Sequence, residues 1–419
     1  MMHELGQRTG ISVRLLGRST QRNTWRKALI SEGFAVPAMG PCSLALADLS
    51  GHDDLDGALL EAVQLAGVEP LIAVIGMSDQ LPSAIVPGVV LVRTIGNDLS
   101  NVSRAIRKAA LDRQFAAAAS VRYRALSGLG LPYRTEQVVD ENTPVTLLSE
   151  PSPHVLPILK EARPHDLVAP LTSSSTLRML ENGYAGALLI HIGQSREHRL
   201  PVLKLVRRQS DLSGLPVAVM RSRWDDEAAQ QWLKNGVDLV AVPHETERVM
   251  TFLNGAARSF RTQRMVSASL ANASVSDRGE PSPLFGPSVF ARICAEHHAL
   301  GDPMAYGVIE LTPEDHGTDD DLAEAGIYMT MALSPIELVT RVNDRMFLVA
   351  MPYADRFYAR RLMRTLRTLV EDLKFGEEPT PVLITTRHVS LATQKDTPID
   401  AFARLREQLG REQTSQAIA

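Results

Sequence analysis

The stretch RVNDRMFLVAMP at residues 341–352 reads as the inner arm of a β-hairpin. An apolar run, Met346, Phe347, Leu348, Val349, Ala350 and Met351, follows a polar Asn343-Asp344 pair, and a β-rich stretch from Glu337 to Val342 precedes it. Strand, tight turn and strand is the expected order. The apolar residues belong in the core of an α/β domain, where each buried Val, Leu or Phe contributes roughly 1.5–3 kcal/mol.

The chain around this hairpin has 419 residues, and at roughly 100–200 residues per domain it holds two to four domains. Its net charge is −4, so no global basic field draws it to nucleic acid or to an anionic membrane. The two cysteines, Cys42 and Cys294, lack metal-type spacing and fit a reducing compartment, each as a small buried residue. The opening MMHELGQRTG has no apolar signal core, and no apolar run approaches the roughly 20 residues that span a bilayer. A soluble cytoplasmic protein without membrane insertion is expected. Aromatic content is 5% while Leu, Ala and Val are abundant, which suits helices packed on parallel sheets.

Short apolar runs alternate with amphipathic stretches through the first 115 residues: Val13 to Leu16, Ser43 to Ala47, Leu71 to Ile75 and Val89 to Val92 read as buried strands. Helical patterns such as Trp25 to Glu32 and Leu55 to Leu65 lie between them, the alternation of a parallel sheet. A second series follows at Val145 to Leu148, Ala187 to Ile190, Val217 to Met220 and Leu239 to Val242, with helices such as Glu227 to Lys234. Two copies of one α/β unit are therefore expected. Long helical stretches, Val102 to Ser127 and Glu245 to Met265, close each unit and read as stalks or dimer contacts. The expected domains are 1–128, 129–265 and 284–411, with a linker at 266–283 rich in Ser, Ala, Asn, Asp, Gly and Pro and a frayed polar tail at 412–419.

Two receiver-like units followed by a hairpin of F-x-V-x-M-P character resemble the PleD-like response regulators, in which two receiver domains precede a GGDEF diguanylate cyclase domain. The resemblance implies an α/β fold: two tandem doubly wound parallel-sheet domains, then a nucleotidyl-cyclase-like α+β domain. A receiver needs an acceptor Asp ending its third strand, an acidic pair after the first to hold Mg²⁺, a hydroxyl after the fourth and a Lys after the fifth. In the first unit SLALADL places Asp48 as the acceptor, but Gly17, Arg18 and Ser19 replace the acidic pair, Ile75 the hydroxyl and Arg93 the Lys. Without carboxylates for a divalent cation, the charge of an incoming phosphoryl group is left unneutralised. Arg18 or Arg93 is expected to pair with Asp48 in a constitutive salt bridge. The second unit departs further: GALLIHIG puts His191 at the acceptor position, Arg221 stands after the fourth strand, and Glu150 alone keeps an acid after the first. His191 is expected to be buried and hydrogen-bonded, with no metal, because no partner ligands have the spacing. Both units then serve as pseudo-receivers for surfaces and dimerisation.

Aligning Phe347 with the last residue of the G-G-D/E-E-F signature gives Asn343, Asp344, Arg345 and Met346 for its first four positions. Cyclase chemistry needs two metal ions held by carboxylates and a Gly-Gly turn that lets backbone approach the nucleotide. Arg345 offers a cation instead, Met346 a thioether that Mg²⁺ does not favour, and Cβ atoms at 343 and 344 crowd the turn. The Asp-x-Asp strand end becomes VIELTPED, leaving Glu310 as the one carboxylate for a metal, and the guanine-contacting loop becomes PEDHGTDDD, read as a solvated acidic loop. The resemblance thus implies no catalytic residues, no metal and no cyclase activity.

The family's inhibitory Arg-x-x-Asp tetrapeptide falls on Ser334, Pro335, Ile336 and Glu337, and a serine hydroxyl cannot replace a bidentate guanidinium. Arg341-Val342-Asn343-Asp344 itself reads Arg-x-x-Asp, displaced onto the turn. ARRLMRTLRTL sets Arg361 and Arg364, with Arg360 near, on one helical face, read first as the solvated basic face of an amphipathic helix whose Leu362, Leu366 and Leu369 are expected to be buried. Two functions stay open. One is a non-catalytic adaptor, which the PopA-like branch of the family implies: a protein at a cell pole that recruits protein partners for regulated proteolysis in cell-cycle control, a homodimer through its receivers, with no nucleic-acid partner. The other is a cyclic di-GMP receptor with a rearranged site at Arg341, Asp344, Arg361 and Arg364.

Overall fold

The computed structural model describes residues 11–17, 19–37, 42–76, 79–83, 86, 89–94, 99–133, 144–149, 153–162, 166–170, 172–192, 199–209, 211–314, 317–375, 382–393 and 396–418. The chain is α/β and divides into two compact units, one holding Gly10–Asp112 and Gln137–Arg264, the other Arg113–Glu136 and Met265–Ala419.

In the first unit, β1 (Val13–Leu16), α1 (Ser19–Ser31), β2 (Leu44–Asp48), α2 (Leu55–Ala66), β3 (Leu71–Gly76) and β4 (Val89–Thr94) build a parallel sheet in the order β1-β2-β3-β4. The neighbour that a doubly wound sheet places outside β1 is reduced to one parallel bridge, Ser12 to Ala35. Caps set the helix ends: Asp54 accepts from the Gly57 N–H at the start of α2, and Gly67, at φ +65°, closes it.

α3 (Ser100–Gly128) leads to β5 (Val145–Leu148), α4 (Leu156–Glu161), β6 (Leu167–Val168), α5 (Ser173–Glu181), β7 (Ala187–Ile192), α6 (Leu200–Arg208), β8 (Val217–Arg221), α7 (Asp226–Lys234), β9 (Leu239–Ala241) and α8 (Thr246–Ala271). These strands make a second parallel sheet, β6-β5-β7-β8-β9, the order of flavodoxin-like doubly wound domains. The two-residue edge strand β6 is too short to leave an apolar run, and the sequence pattern does not show it.

The second unit contains α9 (Pro287–Ala299), β10 (Met304–Pro313), α10 (Asp319–Ala332), β11 (Leu338–Arg341), β12 (Met346–Pro352), α11 (Arg356–Asp372), β13 (Ile384–Thr393) and α12 (Pro398–Ile418). Its sheet is antiparallel, β11-β12-β10-β13, with the expected hairpin as β11 and β12. Side chains alternate between faces along each strand. Met304, Tyr306, Val308, Leu348 and Ala350 share a core with Val289, Phe290 and Ile293 of α9 and Leu405 of α12. On the other face Gly307 lets Met363 of α11 lie against the backbone, and Gly326 of α10 does the same for Phe347.

The expected domain boundaries shift here. Val121, Ala125 and Leu126 of α3 belong to the core of the antiparallel sheet, so the second half of that helix joins the second unit. Residues 266–283 are not an open linker, because α8 continues to Ala271 and Ser276 and Glu280 close a turn, Ser276 N to Glu280 O at 2.9 Å. The Asp277 carboxylate then accepts from the Ser288 and Val289 N–H groups, capping α9. Polar composition reads as linker, but the Ser and Asp side chains here serve turn and cap. The tail is likewise helical, since α12 runs to Ile418.

Both cysteines are buried, and burial pushes the Cys294 thiol up to about 12. Thiolate is the reactive form. The native protein is expected to show no rapidly reacting thiol with Ellman's reagent and two after denaturation; fast native labelling of Cys294 would contradict its placement.

Candidate functional site

The turn joining β11 to β12 is organised by its own side chains. Asn343 Oδ1 accepts from the Arg345 and Met346 N–H groups at 3.0 and 2.8 Å, an Asx turn where the signature has glycine. Arg341 donates to the Asn343 carbonyl at 3.2 Å and the Asp344 carbonyl at 2.7 Å, pairs with Asp319 and lies over the Phe347 ring. The displaced Arg-x-x-Asp tetrad is thus a backbone clamp: Arg341 holds the carbonyl of Asp344, not its carboxylate.

Register decides the fate of the remaining carboxylate. Glu310 lies opposite Met346 on one side and Arg387 on the other, and its carboxylate forms an ion pair with Arg387. A divalent cation would have to displace that guanidinium, and the thioether of Met346 beside it is a poor ligand for Mg²⁺. Among the described residues no cluster of three or more His, Cys, Asp or Glu is placed to hold a metal ion.

The position of the inhibitory tetrapeptide is closed by internal bonds. Glu337 is buried and accepts from the Ser334 N–H at 2.8 Å and from the Tyr358 hydroxyl. Arg122, fully buried on α3, donates to the carbonyls of Pro335, Glu337 and Leu270 and stacks on Phe285. Burial lowers its guanidinium to about 10, which leaves it charged at neutral pH. Where the resemblance implies an arginine that grips a ligand, an arginine from a distant helix grips the turn itself.

On α11, Asp355 caps the helix by accepting from the Tyr358 N–H, and Tyr358, Ala359, Leu362, Met363, Leu366 and Val370 are buried. Leu369, expected inside, is half-buried. Arg361 lies over the Tyr358 ring, while Arg364 is exposed and donates weakly to the Arg360 carbonyl at 3.4 Å. The Arg341 guanidinium bonds to Asp319 and to the Asp344 carbonyl of its own turn.

In the first unit, Asp48 ends β2, as expected. Its carboxylate accepts from Trp25 Nε1 at 2.8 Å and from the Ser50 N–H and hydroxyl at 3.0 and 2.6 Å. The expected salt bridge to Arg93 is absent. Asp48 pairs with Val74 and Val74 with Val92, so Arg93, one residue on, points to the opposite face of the sheet. Arg93 is 1% exposed and binds Glu245, 4% exposed, at 2.6 Å; it also donates to the Asp79 and Val240 carbonyls and lies over Trp224. Arg18, the other expected partner, and Glu150 lie outside the described residues. His191 is buried, with Nδ1 hydrogen-bonded to the Ser149 hydroxyl at 3.1 Å, and Arg221 at the end of β8 pairs with Asp225.

Sequence patterns missed Arg122, Glu245, Tyr358 and Arg387. Each acts through a partner more than 20 residues away, a separation that carries no local periodicity.

No family model matches the chain, and no curated protein matches it. Among solved structures, the chain is similar to the active GGEEF domain of a diguanylate cyclase from Vibrio cholerae at 16% identity and TM-score 0.25, over 29% of this chain and 83% of that one. It is similar to the FimX GGDEF domain from Pseudomonas aeruginosa at 16% identity and TM-score 0.27, over 30% of this chain and 88% of that one. It is also similar to the phosphorylated cyanobacterial phytochrome response regulator RcpA at 12% identity and TM-score 0.23, over 27% of this chain and 91% of that one.

Proposed function

We propose that this chain is a non-catalytic regulatory protein of the cyclic di-GMP signalling type, in which pseudo-receivers and an inactive GGDEF-like domain supply surfaces for other proteins. The observation that carries this reading is Glu310: the one carboxylate left at the strand end is spent on an ion pair with Arg387, beside a turn that begins Asn343-Asp344 rather than Gly-Gly. A fold kept for its core and freed from its chemistry is what an adaptor needs. The PopA-like resemblance implies a cytoplasmic, polar protein that brings partners together for regulated proteolysis in cell-cycle control. The receiver-like units are the proposed place of homodimerisation.

The second reading, a cyclic di-GMP receptor with a rearranged site, draws on the exposed Arg360 and Arg364. It has less support at Arg341, whose guanidinium is occupied by Asp319 and by two carbonyls of its own turn. Calorimetric titration of the full-length chain with cyclic di-GMP, beside an Arg341→Ala variant, separates the two. No heat at high micromolar ligand is the expected result; binding that the variant loses would make the receptor reading the correct one.

A further inference from the structure

The helix pair over one face of the antiparallel sheet divides by charge along its length. β10 and β12 run antiparallel and each is followed by a helix, so α10 and α11, which pack together, are antiparallel too, and the last turn of α10 lies at the end of the pair where α11 begins. From that end α11 exposes Arg356, Arg360 and Arg364, whose i, i+4 spacing puts them on one face about 12 Å long. Residues 356–370 contain no acid, and Asp355, just before them, is turned to the Tyr358 N–H as the helix cap. Arg367 pairs with Glu371; among the described residues Arg356, Arg360 and Arg364 form no ion pair. Like charges at this spacing destabilise a helix and a cation in the first turn opposes its dipole, so the helix itself gains nothing from them. Apolar groups are exposed at the same end: Phe357 on α11 and Met331 on α10, each 73% exposed, with Ile327 one turn earlier on α10. No acid occupies residues 325–332. The acids of α10 belong to its first half, and Asp319 lies about 18 Å from Met331 along the helix axis.

We propose that this end of the helix pair is the docking site for an acidic amphipathic segment of a partner protein, a short helix with carboxylates at i, i+4 and an apolar residue beside them. Its carboxylates meet Arg356, Arg360 and Arg364, whose guanidinium groups bind carboxylate in two parallel hydrogen bonds and so fix direction and register. Its apolar residue covers Phe357 and Met331, which water otherwise faces. The placement of the acids selects this class of partner. A bilayer surface or a polynucleotide extends over the whole pair and meets Asp319 and Asp320, both exposed, whereas a segment of two or three helical turns ends before them. The inference rests on the reading of the chain as one that supplies surfaces to other proteins, and it names the chemistry that such a partner carries.

The test uses the full-length chain. A display library of random peptides long enough for three helical turns, panned on it, should enrich sequences with Glu or Asp at i, i+4 and a Leu, Phe or Trp beside them. By fluorescence anisotropy, synthetic peptides of the enriched sequences should bind an Arg356→Glu/Arg360→Glu/Arg364→Glu protein roughly tenfold or more weakly, and the wild type more weakly as salt rises. A Phe357→Ala protein should lose affinity without losing the salt dependence. All four side chains are exposed, and far-UV circular dichroism checks that the variants keep the fold. Failure to enrich acidic sequences, or equal binding by the charge-reversed protein, would overturn the proposal. So would a labelled single-stranded oligonucleotide or a phosphatidylserine vesicle that binds the wild type more tightly than the peptides and is lost by the same variant. Cyclic di-GMP formation from GTP, assayed on the same preparations, tests the regulatory reading separately: product would remove that reading, while the peptide measurement alone decides this surface.

Discussion

Arg93→Ala should destabilise the first unit by about 3–5 kcal/mol, because removing one partner of a buried ion pair leaves the other charge without compensation. Glu245 is the stranded group: it is buried, and its carboxylate also accepts from the Leu81 and Val242 N–H groups at 3.4 and 3.3 Å. Arg93 comes from β4 of the first sheet and Glu245 from the segment after β9 of the second, so this pair joins the two receiver-like folds into one compact unit. The corresponding fall in the first thermal transition is on the order of 10 °C for a unit of this size. An Arg93→Met/Glu245→Leu double variant should recover much of the loss, since apolar replacement of a buried pair is often close to neutral. Calorimetry of wild type, single and double variants checks this, and a single-variant loss below about 1 kcal/mol, the range of exposed pairs, would mean that the pair is solvated.

Phe347→Ala should cost the second unit about 3–5 kcal/mol, the range for emptying a buried phenylalanine site. Phe347 is fully buried, sits opposite Ile309 in the central pair of strands and rests on Gly326, where a Cβ would meet its ring at 2.7 Å. Asp344→Ala, three residues earlier in the same hairpin, should change stability by less than about 0.5 kcal/mol, because its side chain is exposed and only its carbonyl is used. Denaturant titration followed by far-UV circular dichroism compares them. The contrast explains how the hairpin keeps its shape while its turn departs from the signature: packing constrains Phe347 tightly and Asp344 hardly at all. Equal effects of the two substitutions would refute that division.

Strand positions were legible because buried parallel strands and the β12 core leave apolar runs, and Val89 to Val92, Ala187 to Ile190 and Phe347 to Met351 all fall inside strands. The absences were legible too, since Asn343, Arg345 and Ser334 are read directly from the chain. Pairing was not. Arg93 was placed at the correct strand end, but its partner depends on which face of the sheet it meets, and one residue of register separates Asp48 from Glu245. Arg122 and the 334–337 turn lie more than 200 residues apart, and no local pattern joins them. Residues 266–283 show the opposite error, where polar composition concealed a cap, Asp277 on α9, that only the fold makes visible.

The most direct test is to incubate the purified full-length chain with GTP and Mg²⁺ or Mn²⁺ and quantify cyclic di-GMP by mass spectrometry, with Glu310→Ala in parallel. With Glu310 held by Arg387 and no glycine turn for the nucleotide, no product above the buffer blank is expected from either protein. Product from the wild type that disappears in Glu310→Ala would show a working cyclase centre, and the adaptor reading would fall.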